Sequence, residues 1–101
     1  MDKLYTQFDN IFFEKSRLSI MTILYKERVV SFNRFKKLLA ATDGAIYTHL
    51  KKLIDSNYIS YKKEIVDNSA QTNYTITKTG KKIFKDYLAF LQEMILEDGN
   101  K

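Results

Sequence analysis

Thr48, Lys51 and Lys52 are three and four residues apart near the middle of the chain, the spacing that puts side chains on one face of a helix. Thr42, Gly44 and Ala45 carry the expected DNA-binding face back to its start. A helix side that is small at one end and basic further along can sink into the major groove of duplex DNA. There small residues permit close approach, a hydroxyl reaches a base edge or phosphate, and lysines meet phosphates. The opposite stripe is apolar, with Ile46, Leu50 and Leu53 in line and Ile54 at its margin. Tyr47 falls at one edge of that stripe, where it would pack its ring and offer its hydroxyl to the same partner. His49 falls at the other edge, beside Ile46 and Leu50, and is expected to bond a phosphate or the backbone.

The same residue inventory argues against catalysis. There is no cysteine, one histidine and only three glycines. Glu27, Asp43, Asp55, Glu64 and Asp67 are scattered, and no serine has a histidine and an acid at a recognisable spacing. The sequence therefore predicts no enzyme, no metal and no cofactor, and it assigns no small-molecule effector.

Several elements must hold the basic face in place. A helix is expected over 32–39, with Phe32, Phe35, Leu38 and Leu39 on its apolar side and Ser31 as its cap. Ala40 and Ala41 allow a sharp crossing, and Thr42 caps the next helix, over 43–56, with Asp43 suited to the dipole at its start. Arg34, Lys36 and Lys37 on the earlier helix are placed to hold phosphates. Asp55-Ser56-Asn57 stops the second helix, with Asn57 in the left-handed conformation. The stretch 58–66 then alternates, with Ile59, Tyr61 and Ile65 on an inner row that Lys63 interrupts; 67–70 is a turn cluster, and 71–77 alternates again. This is a hairpin directly after a helix-turn-helix, that is, a wing, with Lys62 and Lys63 on its stem as further phosphate contacts.

On either side, 16–26 reads as a helix capped by Ser16, and 28–30 as a short strand. Thr77 caps a long helix over 78–97 with adjoining stripes Ile83/Tyr87/Phe90/Met94 and Phe84/Leu88/Leu91/Ile95. A second apolar stripe on an outer helix predicts a homodimer. Leu4, Phe8 and Phe12, on a short N-terminal helix, would join Tyr87, Phe90, Leu91, Met94 and Ile95 at its interface. The expected class is mainly α with a small β-hairpin. Its parts are an N-terminal helix (1–13), a winged helix-turn-helix (14–77) and a dimerisation helix with tail (78–101).

The chain of 101 residues suffices for one domain. Its net charge of +5 favours a polyanionic partner. From Lys26 to Lys63 there are nine Lys or Arg against three acids, so the excess falls on the helix-turn-helix and its flanks. No apolar run is long enough for a membrane span, and a cytoplasmic protein is expected.

Three pieces carry a family likeness. Ser16-Arg17-Leu18 with Ile20 and Leu24 is similar to an "xRLxIxxxL" first helix, and Thr42 to Leu53 to an "S-D-G-x-L-S-x-H-L-K-K-L" recognition helix. Thr72 to Gly80 is similar to a "T-x-Y-x-L-T-x-x-G" wing strand and cap. Together they resemble the small winged-helix transcriptional regulators related to the MarR and ArsR groups. The likeness implies a sequence-specific regulator, a repressor, that binds duplex DNA as a homodimer at a pseudo-palindromic site. Two positions depart from the pattern. Tyr47 stands where the family has Ser or Asn, and the tip Val66 to Gln71 is acidic where family wings are basic. The competing expectation is a winged helix that docks its basic face on an acidic protein.

Overall fold

The computed structural model describes residues 14–99, with side chains to 96; the expected helix over 1–13, with Leu4, Phe8 and Phe12, lies outside the described residues. The element order is α1 (Lys15–Glu27), β1 (Val29–Ser31), α2 (Phe32–Leu38), α3 (Asp43–Asp55), β2 (Ile59–Val66), β3 (Ser69–Ile76) and α4 (Lys78–Gly99).

Local chemistry sets most of these boundaries. Ser31 caps α2 by accepting from the Arg34 amide at 3.1 Å, and Thr42 caps α3 by accepting from the Ala45 amide at 3.2 Å. The cap of α1 corrects the expectation: it is Glu14, whose carboxylate accepts from the Arg17 amide at 2.9 Å, and Ser16 lies within the helix. A carboxylate at this position also favours the positive end of the helix dipole. At the far end of α3, Asn57 has φ 63° and bonds back to the Ile54 carbonyl, while the Tyr58 amide reaches the Leu53 carbonyl at 3.0 Å. That pair of bonds is a Schellman ending, and it turns the chain from α3 into β2.

The sheet is antiparallel, in the order β1-β3-β2, with Val30 opposite Tyr74 and Tyr61 opposite Tyr74 from the other side. Val66 pairs with Ser69, so the wing turn is only Asp67-Asn68, both at positive φ (51° and 66°). This is the two-residue type I′ geometry that matches strand twist. The strands therefore run further than expected, since Ser69 and Ala70 belong to β3 and not to the turn.

Beneath the sheet the core draws Ile20, Met21 and Leu24 from α1, Phe35 from α2, Ile46, Leu50 and Leu53 from α3, Ile59 and Tyr74 from the wing, and Phe84 from α4. Phe35 and Tyr74 meet edge to face at 5.9 Å, and Tyr25 lies against Phe84 at 5.0 Å. Leu38, Tyr61 and Ile65, all expected on apolar faces, are not covered. Leu38 lies exposed on the last turn of α2, which is too short to bury more than Phe35 fully; and Ile65, near the wing tip, is 76% exposed because the hairpin extends past the helices.

α4 is anchored where it leaves the wing. The Thr77 hydroxyl donates to the Asn57 carbonyl at 2.7 Å and accepts from the Gly80 amide at 2.9 Å. A side chain at Gly80 would collide with the Tyr58 carbonyl, so the first turn of α4 lies directly on the backbone that ends α3. The Thr-x-x-Gly pattern is thus a joint between recognition helix, wing and α4. Along α4 the first stripe is covered and the second only at its start: Phe84 and Phe90 are buried and Ile83 and Tyr87 pack on the core, whereas Leu88, Leu91, Ile95 and, beside them, Leu96 face outward.

Candidate nucleic-acid interface

Burial of Ile46, Leu50 and Leu53 fixes the rotation of α3 and turns Gly44, Tyr47, Thr48, Lys51 and Lys52 to solvent, with Ala45 half-buried. Thr48 donates its hydroxyl to the Gly44 carbonyl at 2.9 Å. The bond commits the hydroxyl proton to the backbone and leaves the oxygen of this exposed side chain as an acceptor. A Cβ at Gly44 would meet nothing within 4 Å, and its φ is not positive, so neither packing nor backbone conformation requires glycine there.

The cations divide by their partners. Arg34 is engaged by Glu27 through two bonds, at 3.0 and 3.2 Å. The hydrogen bond from Arg34, with its charge, lowers the Glu27 pKa, and Glu27 in turn raises that of Arg34. Lys36 lies 3.3 Å from Asp43, and Lys51 lies 3.4 Å from Asp55 one turn along. These exposed pairs are weak enough for a phosphate to displace the carboxylate. Among the described residues Lys37, Lys52, Lys62 and Lys63 have no carboxylate within 4.0 Å.

His49 corrects an expectation. Its Nδ1 lies 3.1 Å from Nη1 of Arg17, the one buried charged residue among those described, and 3.5 Å from the Glu14 carboxylate. A guanidinium only donates, so Nδ1 accepts and the ring proton sits on Nε2. His49 therefore ties α3 to the start of α1. Desolvation works to raise the Glu14 pKa, but the amides of Arg17 and Ser16, helped by the Arg17 guanidinium, leave it lowered.

Tyr47 is 61% exposed and does not pack at the edge of the stripe. With Tyr61 it flanks a cleft of about 260 Å³ between α3 and the wing, floored by Leu50 and Tyr74. Burial raises the Tyr74 pKa, and the nearby Tyr47 and Tyr61 add to the shift. Sequence reasoning passed over Tyr61 as an inner-row residue. The signal was present in its alternation with Lys63, which puts both on the face that looks toward α3.

An open, basic recognition helix beside a hairpin on a small helical core defines a class: DNA-binding transcriptional regulators. The chain belongs to the winged helix DNA-binding domain family, whose sequence pattern matches residues 16–95. An uncharacterised protein of Methanocaldococcus jannaschii is 35% identical over 78 residues, covering 77% of this chain and 85% of that one. A transcriptional regulator homologue from Pyrococcus horikoshii OT3 superposes with a TM-score of 0.84 at 28% identity, over 100% of this chain and 99% of the other. PadR of Bacillus subtilis, solved in complex with operator DNA, gives a TM-score of 0.60 at 25% identity, over 71% of this chain and 45% of that one. The resemblance read from the three motifs is borne out: the structural neighbours are regulators of the MarR and PadR type. Among the described residues no helix is long and apolar enough to cross a membrane.

Proposed function

We propose that this chain is a sequence-specific duplex-DNA-binding repressor that acts as a homodimer, with α3 in the major groove and α4 at the dimer contact. The observation that carries the reading is the outer face of α3. It begins with a glycine that its own fold does not require and ends in lysines that reach past the backbone. Close approach at Gly44 and Ala45 puts the Thr48 methyl and oxygen against base edges, and Lys51 and Lys52 against flanking phosphates. Lys36 and Lys37 on α2, with Lys62 and Lys63 on the wing stem, extend the phosphate contacts to either side. Arg34 contributes less, because Glu27 already holds its guanidinium. Operator binding by PadR supports the same use of this fold. Occupation of a promoter would make the protein a repressor.

The test is a titration of the protein on genomic DNA fragments across salt concentrations. Changing Lys51 and Lys52 together to Glu should abolish binding, and each lysine neutralised singly should flatten the log–log salt dependence by about one unit. Undiminished affinity in the double variant would mean that the basic face serves an acidic protein instead.

A further inference from the structure

We infer that the cleft between α3 and the wing receives one strand of the DNA backbone, held between the rings of Tyr47 and Tyr61. This rests on the DNA-binding reading and extends it to residues outside the recognition face. The wing tip is ill suited to hold DNA by charge: from Glu64 to Gln71 it has two acids, Glu64 and Asp67, and no cation. The features suited to a phosphodiester strand lie lower, on the stem. Tyr61 stands opposite Tyr74 and Lys63 opposite Thr72, so both β2 side chains share the face that looks onto α3. Across from them stand Tyr47 and Lys51. The cleft thus has an apolar floor of Leu50 and Tyr74, aromatic walls more than half exposed, and an ammonium on either rim.

This arrangement matches the chemistry of a sugar–phosphate chain. Deoxyribose carbons pack on ring faces, phenol hydroxyls donate to phosphate oxygens, and the lysines neutralise them. Asp55 also lines the cleft, 3.4 Å from Lys51, and with Lys63 on the other rim the two lysines still outweigh its one carboxylate. The occupant is continuous with the partner of α3, because Tyr47 and Lys51 belong both to the cleft and to the recognition face. A helix seated in the major groove with a hairpin beside it leaves one backbone strand to pass between them.

Binding of full-length Tyr61→Ala and Lys63→Ala to a DNA fragment that the wild type binds, measured by fluorescence anisotropy at several salt concentrations, tests this. Tyr61→Ala should weaken binding about tenfold at every salt concentration with the slope unchanged, since apolar packing is lost and no counterion is involved. Lys63→Ala should flatten the slope by about one unit. Unchanged affinity in folded Tyr61→Ala, alongside lost binding in the Lys51/Lys52 double variant, overturns the inference and leaves the cleft to a small molecule. Retained binding in that double variant refutes the DNA reading itself. Should Tyr61→Ala fail to fold, Tyr61→Phe takes its place: a loss of about fivefold from the missing hydroxyl supports the inference, and none overturns it.

Discussion

At the level of single residues, Gly44 separates the demands of folding from those of binding. A glycine in the first turn of a helix is unfavourable relative to alanine, by up to about 1 kcal/mol. Here no left-handed φ and no neighbouring atom calls for it. Gly44→Ala should therefore melt at a higher temperature than the wild type and bind DNA more weakly. The added methyl would meet the groove instead of the fold, at a cost of about 1–3 kcal/mol if it behaves like an overfilled packing site. Equal or better binding in a stabilised Gly44→Ala would show that α3 does not enter the groove by this turn. Thr48 refines the proposal, because its hydroxyl proton is spent on the Gly44 carbonyl and it would meet the groove as a methyl and an acceptor. Thr48→Ser removes the methyl alone, and a thymine preference resting on that contact should weaken about fourfold, the worth of one buried methyl.

Among the elements, what the sequence made legible was whatever is decided locally. Ser31, Thr42, Asn57 and Thr77 were identified as caps or stops, and each performs that role, because each satisfies backbone groups a few residues away. The errors lie where distant parts decide. Glu14 took the cap of α1 from Ser16 because its carboxylate also lies beside His49 and Arg17, a meeting across more than thirty residues that no local pattern contains. Tyr61 and Ile65 alternate as buried residues do, yet Ile65 lies where the hairpin extends beyond the helices, and Tyr61, though it faces α3, stands at an open cleft. The union of α1 and α2 through Glu27 and Arg34 was equally hidden, and it has a pH signature. Glu27's pKa is lowered from 4.5 in the folded chain, so near and below that value the unfolded chain binds more protons. The contribution of the pair is complete above about pH 4.5 and drains away as the pH falls through the lowered value, while Arg34 stays charged throughout. Melting temperatures of wild type and Glu27→Gln should differ at pH 6 and converge toward pH 3. A difference that persists once the pH is well below the lowered value would mean that Glu27 acts through packing and not through its charge.

For the whole molecule, the outward stripe of α4 is where the proposed homodimer would link the fold to an operator. Leu88, Leu91, Ile95 and Leu96 remain 43%, 37%, 68% and 63% exposed, while Phe84 and Phe90 on the same helix are covered by the chain itself. Of the residues expected at a dimer contact, Phe90 is buried and Tyr87 and Met94 are half-buried within one protomer, and Leu91 and Ile95, with their neighbours Leu88 and Leu96, are the exposed ones. A row of leucine and isoleucine along one helix is self-complementary about a two-fold axis, the symmetry that most dimers use. Because Thr77 and Gly80 seat α4 on the end of α3, an axis through α4 also fixes the separation of the two recognition helices. Half-sites about one helical turn apart, roughly 34 Å, are the expected consequence. Leu91→Glu with Ile95→Glu puts charge on exposed positions, so the protomer should fold as before but sediment as a monomer at micromolar concentration. Its affinity for a paired site should fall about 10²–10⁴-fold toward that of a half-site, because the second contact loses the effective concentration that the dimer supplies. A wild-type chain that sediments as a monomer under these conditions, or a double variant that keeps its affinity for paired sites, would detach α4 from DNA recognition and require each protomer to read its site alone.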